Sequence, residues 1–281
     1  MQSTGAPKSV ALGYPSRFAR RRPVIANVGH PSCLRCCAGK HMGSVTIKLS
    51  EQDLEVFVRW AEHLRRVDRF HLPEADEALV EKIVTYSIQN RESSIEVGES
   101  LYRARVNKID EPRAKQLSEM GAPPRDSARA GRMNPAGIPY LYLALDEATA
   151  IAEVRPWKGA LISVARFVPH RVLRVVNLNY RDIKPPGKQV QKGDETDYKT
   201  FLLFMSRTLA RPQDPNDELS YIPTQYFAEK FKRREFDGII FQSVLHEGGS
   251  NVVLFDVNSA APKDVSLHQI QQVTYSTVGV K

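Results

Sequence analysis

The hydrophobic pattern of the chain changes its period near residue 100. Before that point, apolar residues recur three or four positions apart, at Leu54, Phe57, Val58, Ala61, Leu64 and Val67. From residue 101 the side chains alternate as in a strand, with Leu101, Arg103 and Arg105 on one face and Tyr102, Ala104 and Val106 on the other. We therefore predict a small helical domain over residues 44–98 and a second domain over residues 99–281.

The helical part is predicted to be a hairpin of two helices. The first helix runs from about Glu51 to Arg69. The second helix starts after Pro73, a residue compatible with a helix start, and runs to about Gln89.

The second domain is predicted to be of the α+β class, a mixed sheet with flanking helices. A strand at Pro139–Ala144 is followed by Asp146, a plausible N-cap of a short helix that ends before Pro156. Further strands are predicted at Ala160–Val168, Val172–Leu178, Asp237–Ser243 and Asn251–Val257, and helices near Tyr198–Leu209 and Thr224–Lys232. Residues 110–137 are predicted to form a long loop, and residues 182–197 a surface insertion.

The positive charge of the chain is concentrated in its first segment. Of the net charge of +8, seven units come from residues 1–43, which hold seven Lys and Arg and no Asp or Glu. The rest of the chain is close to neutral, so nucleic-acid binding by the folded part is not expected. We predict that residues 1–43 are a disordered basic arm. A transit peptide and an over-extended start are the alternatives.

All three cysteines lie in that arm. Cys33, Cys36 and Cys37 stand between His30 and His41, but no second C-x-x-C exists, so chance clustering is preferred to a zinc site. The absence of cysteine from residues 44–281 argues against a disulfide framework and suits the cytoplasm. No apolar run is long enough to span a membrane.

A few residues stand out as candidates for chemistry, although each has an ordinary explanation. Glu153 falls in the last turn of its predicted helix, where the negative end of the helix dipole disfavours a carboxylate. Arg103 alone would be a surface strand residue, Tyr142 sheet packing, and Ser243 the end of a buried strand. No G-x-S-x-G elbow surrounds Ser243, so a serine hydrolase is disfavoured.

Together, these residues belong to an ordered series of motifs that resembles the RES family, named for its Arg, Glu and Ser. The matching pieces are Leu101-Tyr-Arg103, Gly131-Arg-Met-Asn-Pro-Ala-Gly137, Tyr140-Leu-Tyr-Leu-Ala144, Ala150-Ile-Ala-Glu153, Asp237-Gly-Ile-Ile-Phe-Gln-Ser243 and Asn251-Val-Val-Leu-Phe255. The resemblance implies a fold related to ADP-ribosyltransferases and an enzyme that hydrolyses or phosphorolyses NAD. It also implies a cytoplasmic bacterial toxin held inactive by an antitoxin protein, and a possible homodimer.

The resemblance also implies roles for particular residues. Glu153 would be the catalytic carboxylate, and Arg103 and Arg132 would hold the dinucleotide. Tyr142 would lie against nicotinamide or its ribose, Ser243 would contact the ribose, and Asn251 would also contact NAD. Two guanidiniums suit a pyrophosphate because each offers a planar fork of donors. No metal and no cofactor are expected, and NAD would be a consumed substrate, since no G-x-G-x-x-G follows a strand.

Two features depart from a minimal toxin: the helical hairpin, and the stretch between Glu153 and Ser243, which includes the insertion near residues 182–197. The hairpin resembles HEPN modules, and Arg66 and His71 match the loose R-x4-H pattern of HEPN ribonucleases. Two alternative functions stay open. One is ADP-ribose transfer to a macromolecule at the same site, and the other is a non-enzymatic regulator whose basic arm binds nucleic acid.

Overall fold

Eight strands form one mixed sheet in the computed structural model, which describes residues 51–179, 202, 205, 218–275 and 277. The strands are β1 Glu92–Ile95, β2 Leu101–Val106, β3 Leu141–Ala144, β4 Leu161–Pro169, β5 Leu173–Asn177, β6 Gly238–Gln242, β7 Ser250–Leu254 and β8 Ala260–Gln269. Their order is β1-β5-β6-β7-β3-β2-β4-β8, and the β5–β6 pair is parallel while the other pairs are antiparallel.

The described helices are α1 Glu51–Arg66, α2 Glu74–Arg91, α3 Glu147–Glu153 and α4 Ile222–Lys232. Two separate groups of helices cover one face of the sheet. Helices α1, α2 and α4 pack over β5, β6, β7 and β3, and α3 packs over β2 and β4. The opposite face buries Leu141, Leu143 and Val252 with Met120 of the long loop. The predicted α+β class, a mixed sheet with flanking helices, is confirmed.

The predicted alternation of side chains along β2 and β3 is confirmed. Tyr140 and Tyr142 pack with the helices, while Leu141 and Leu143 belong to the opposite core. The single bridge pair between these strands joins Tyr102 to Ala144, so β2 and β3 separate beyond it. This separation opens a gap beside the sheet's centre.

The sequence pattern missed β1 and β8, the two edge strands. In β8 the exposed residues Lys263 and Asp264 interrupt any apolar alternation, yet nine register pairs join this strand to β4. Backbone pairing with a neighbour defines such an edge strand, because one side of it faces solvent. The predicted helix near Tyr198–Leu209 and the insertion at 182–197 lie outside the described residues apart from Leu202 and Met205, which are helical.

Both predicted helices of the hairpin are confirmed. The first ends at Arg66, before its predicted end at Arg69, because the carboxylate of Asp68 accepts from the backbone N–H groups of Phe70 and His71 and stabilises a turn. Residues 51–275 fall in one compact unit, and the hairpin shares its core with the sheet. The proposed domain boundary and the HEPN resemblance stay predictions.

The R-x4-H residues of the hairpin lie on its surface. Arg66 donates to Glu62 at 2.8 Å, and His71 approaches Asp68 at 3.3 Å. Their side chains are 69% and 80% exposed.

No described helix is long and apolar enough to cross a membrane. The basic arm and its cysteines lie outside the described residues.

Candidate active site

Helix α3 presents Glu153 at its C-terminal end. The helix begins as predicted, with the Asp146 side chain accepting from the Thr149 backbone N–H at 2.7 Å. Seven residues later it ends at Glu153, and Pro156, which has no backbone N–H to donate, follows shortly after. The site lies between α3 and α4, above β3 and β7.

Two buried neighbours explain the unfavourable position of the Glu153 carboxylate. Ser243 Oγ donates to Glu153 Oε1 at 2.8 Å, and Asn251 Nδ2 donates to the same oxygen at 2.6 Å. Their donors compensate for the negative end of the helix dipole. Ser243 is 3% exposed and Asn251 is 6% exposed, so neither is free to turn away. The other carboxylate oxygen has no hydrogen-bond partner among the described residues, which leaves it available to a ligand.

The turn after β6 orients the Ser243 hydroxyl. Its oxygen accepts from the backbone N–H groups of Leu245 and His246, each at 3.2 Å. With both donors on the lone pairs, the hydroxyl hydrogen points to Glu153. The nearby His246 ring contacts Thr149 Oγ1 at 2.9 Å. The Ser243 hydroxyl bonds to Glu153 and not to the His246 ring, and the exclusion of serine-hydrolase chemistry stays a prediction.

A tightly connected loop before β3 positions Arg132. Asn134 organises it: its side-chain amide donates to the carbonyl oxygens of Arg129, Pro135 and Ile138 at 3.0 to 3.1 Å. The start of α4 holds the loop from the other side. There Gln225 donates to the carbonyls of Gly131 and Asn134, each at 2.9 Å, and Thr224 donates to the carbonyl of Arg132.

The Tyr142 hydroxyl forms hydrogen bonds with this loop. The hydroxyl donates to Asn134 Oδ1 at 2.9 Å and accepts from the Met133 N–H at 3.0 Å. Burial raises the pKa of Tyr142 to about 12, so the phenol stays neutral. Gly131 leaves no room for a side chain, because a Cβ there would lie 2.4 Å from Asn134 Oδ1. The predicted contact of Tyr142 with nicotinamide or ribose stays a prediction.

The Arg132 side chain is half-buried and has no carboxylate within ion-pair distance among the described residues. Burial lowers its pKa, and the nearby charge of Glu153 works in the opposite direction. Its carbon lies 5.6 Å from the ring centroid of Phe241, which places the cation over an aromatic face. The site therefore holds a desolvated positive charge next to a fixed carboxylate.

Arg103 lies in the gap between β2 and β3. It donates from Nη1 to the carbonyl oxygen of Tyr142 at 2.9 Å. Burial, and then the positive charge of Arg105, lower the pKa of Arg103 to about 10. The guanidinium is therefore still charged at neutral pH, and within the described part of the chain no acidic group pairs with it.

Comparison with known proteins identifies the family. The sequence model of the RES domain matches residues 100–277, more than half of the chain. The chain belongs to the RES domain family. It is also similar to a chain in the crystal structure of the M. tuberculosis MbcT–MbcA toxin–antitoxin complex, with 16% identity, coverage of 68% of this chain and 94% of that chain, and a TM-score of 0.37. No curated protein matches the chain.

All six candidate residues lie inside the matched RES domain. The structure brings Glu153, Ser243 and Asn251 into direct contact. The other three are connected through Tyr142. The Arg103 guanidinium donates to the backbone carbonyl of Tyr142, and the Tyr142 hydroxyl holds the loop that carries Arg132. In the described chain, no group of three or more His, Cys, Asp or Glu side chains is placed to hold a metal ion. That the chain requires no metal and no cofactor stays a prediction.

Sequence reasoning missed the residues that support this RES site. Asn134 was part of a recognised motif, and the three carbonyls that its amide binds show what it does there. Thr224 and Gln225 gave no signal, because they lie about ninety residues from the loop that they hold. Only the packing of α4 against the loop reveals them.

Proposed function

We propose that this RES protein cleaves the nicotinamide–ribose bond of NAD. The observation that supports the proposal most directly is the Glu153 carboxylate, fixed through one oxygen by Ser243 and Asn251 and open at the other. The half-buried Arg132 guanidinium lies close enough to interact with this carboxylate, and Arg103 is a second half-buried cation, bonded to the Tyr142 carbonyl oxygen; neither has an acidic partner within ion-pair distance among the described residues. A site of this kind suits a substrate with an anionic pyrophosphate and a reacting centre that becomes positively charged.

The chemistry requires a carboxylate more than a proton donor. Nicotinamide is joined to ribose through a cationic ring nitrogen, and it takes the bonding electron pair and leaves as a neutral molecule. Positive charge then develops on the ribose. The preorganised Glu153 carboxylate would stabilise this charge, while Arg103 and Arg132 hold the pyrophosphate. Ser243 and Asn251 would keep the carboxylate in place as the charge develops.

The acceptor is either water or inorganic phosphate. With water, the new C–O bond gives ADP-ribose and a proton is released. With phosphate, an oxygen of the anion forms the bond and gives ADP-ribose 1-phosphate. Both reactions use the same carboxylate, so the products distinguish a glycohydrolase from a phosphorylase.

A role as a bacterial toxin with a cognate antitoxin is part of the proposal. It is supported by membership of the RES family, which the motif resemblance connects with toxin–antitoxin pairs. Expression of the wild type should arrest growth and lower cellular NAD, and Glu153→Gln should do neither. Growth arrest with unchanged NAD would contradict this role. The antitoxin and the homodimer stay predictions.

The decisive experiment measures NAD consumption by wild type and Glu153→Gln, with and without inorganic phosphate. Glutamine keeps the shape and loses the charge, so we expect turnover to fall at least about 100-fold while ADP-ribose binding changes less than about threefold. Glu147→Gln is the matched control, because Glu147 is a half-exposed carboxylate in the first turn of the same helix, where it pairs with His268 at 3.2 Å and makes no contact with Ser243 or Asn251. Strong residual turnover in Glu153→Gln would overturn the proposed mechanism. Label transferred from NAD to a macromolecule would instead identify a transferase.

A further inference from the structure

Arg155 adopts a backbone conformation that arginine rarely occupies. Its φ is +48°, in the left-handed region that glycine and asparagine favour. The residue follows the end of α3, and its N–H bonds to the carbonyl of Ala152 at 3.0 Å. A glycine would make the same helix end without strain. The chain instead carries a long cationic side chain at this point.

The position of Arg155 places it beside the candidate active site. It stands two residues after Glu153, and its positive charge is close enough to lower the pKa of Arg132. Its side chain is exposed, and it makes no hydrogen bond or ion pair with any described residue. Because no protein group accounts for this strained, like-charged arrangement, a ligand is the natural partner.

The charge balance of the site points to the kind of ligand. Arg132 and Arg155 supply two positive charges near the one negative charge of Glu153. Arg103, bonded to the Tyr142 carbonyl oxygen, supplies a further positive charge, so two of the three positive charges are uncompensated. A pyrophosphate bridge carries two negative charges. Guanidinium groups bind phosphate oxygens through paired, charge-assisted hydrogen bonds. Arg132 and Arg155, which repel each other, would both be stabilised by such a group between them.

We propose that Arg155 is a third substrate-binding arginine, which contacts the pyrophosphate of the dinucleotide at the mouth of the site. The inference rests on the proposed function, since it takes the same substrate. Arg132 and Arg103 contact the pyrophosphate from the inner side of the site, and Arg155 contacts it from the solvent side. Its role is in binding, and it does not touch the bond that breaks.

The chain contains a matched control for the strained backbone. Glu235 is the other described non-glycine residue with positive φ, at +61°. It too is exposed, follows the end of a helix, and bonds through its N–H to the carbonyl three residues back, Lys232, at 3.0 Å. It lies after α4 and carries the opposite charge. Replacing each residue by glycine relieves the same strain in two places, but only one place faces the site.

The test compares Arg155→Gly, Glu235→Gly and wild type by calorimetric titration and NAD kinetics. ADP-ribose, which carries the pyrophosphate without nicotinamide, should bind about tenfold more weakly to Arg155→Gly. KM for NAD should rise by a similar factor, with kcat within about twofold. Adenosine, which has no phosphate, should bind equally to all three proteins. Glu235→Gly should behave as wild type, and both variants should melt within about 2 °C of it.

Further variants and outcomes separate this inference from the proposed function. Arg155→Asn, whose side chain tolerates the left-handed region, should reproduce the glycine result, and Arg155→Lys should retain part of the affinity. Unchanged ADP-ribose affinity in Arg155→Gly, or an equal loss of adenosine affinity, would overturn the inference. If wild type binds ADP-ribose through Arg155 but does not consume NAD, the inference stands and the proposed function fails. Absence of ADP-ribose binding by wild type would overturn both.

Discussion

Two groups of half-buried charged side chains in this protein differ in whether the charges have partners of opposite sign. Between α2 and α4, every charge has a partner: Lys230 bonds Glu77 and Glu81, and Arg234 bonds Glu81. In the candidate active site, Arg103 and Arg132 have no acidic partner within ion-pair distance among the described residues. The first group joins two helices. The second leaves its positive charge uncompensated, which costs stability and makes it available to an anion.

The pKa shifts follow the same division. Burial is the largest single effect and acts to raise the pKa of Glu77 and Glu81. The hydrogen bonds and charge of Lys230, with Tyr226 at Glu77 and Arg234 at Glu81, together outweigh it, and both pKa values are lowered. In the site, burial dominates and lowers the pKa of both Arg103 and Arg132. A lowered pKa is stabilising for a carboxylate and destabilising for a guanidinium. The comparison therefore predicts opposite effects of removing charge in the two places.

The largest effect is expected from Arg132→Met. Removing the cation should lower kcat/KM for NAD at least about 100-fold, since it removes charge-assisted contacts with the substrate. The melting temperature should stay the same or rise, because an unpaired buried charge disappears. NAD kinetics and calorimetric melting of the same preparation measure both. A variant that loses activity only because it unfolds would break the comparison.

Lys230→Met should show the reverse pattern. The Lys230 side chain is 11% exposed, so its loss leaves Glu77 half-buried without a cation and leaves Glu81 with Arg234 alone. We expect the free energy of unfolding to fall by about 2–3 kcal/mol, with KM for NAD unchanged. Urea denaturation gives the first value and kinetics the second. Lys82→Met, on the exposed side of α2, is the control and should leave stability nearly unchanged. A large rise in KM in Lys230→Met would show that the helix interface also shapes the site.

Gly131→Ala tests the loop that carries Arg132. The added Cβ would meet Asn134 Oδ1 at 2.4 Å and Tyr142 Oη at 3.1 Å, so the loop must shift. We expect kcat/KM to fall about tenfold, with a loss of stability near 1 kcal/mol. Gly121→Ala, where nothing lies within 4 Å of a Cβ, should leave activity unchanged. Equal activity of the two variants would mean that the position of Arg132 is not critical.

The smallest effect is expected in the pH dependence of stability. Because the folded-state pKa values of Glu77 and Glu81 lie below the ordinary value of 4.5, their contribution is present above that value. It is lost as the pH falls through the lowered folded-state values. Urea denaturation between pH 6 and about 3 should show this loss in wild type. In Lys230→Met the acid-dependent decrease should be shallower, and an unchanged slope would assign it to other carboxylates, such as Asp237.

Much of the fold was predictable because most elements have a strong local pattern. Strand β2 was predicted over its observed range, Leu101–Val106, and the N-cap at Asp146 was predicted and observed. The opposite faces of Tyr142 and Leu143 followed from simple alternation. The edge strand β8 was missed because its pairing with β4 depends on backbone hydrogen bonds that no side-chain pattern encodes.

In the candidate site, too, some features follow from the sequence and others only from the tertiary structure. The amino-acid sequence by itself determined the family, since the ordered motifs around Arg103, Arg132, Glu153 and Ser243 are carried in the residue types and their order. Only the tertiary structure decided that Asn251 and Ser243 hold one oxygen of Glu153, and that Gln225 and Thr224 support the Arg132 loop. Hydrogen bonds of this kind depend on distances of a few tenths of an ångström between residues far apart in the chain. Such distances are set by how helices pack on a sheet, which local pattern does not specify.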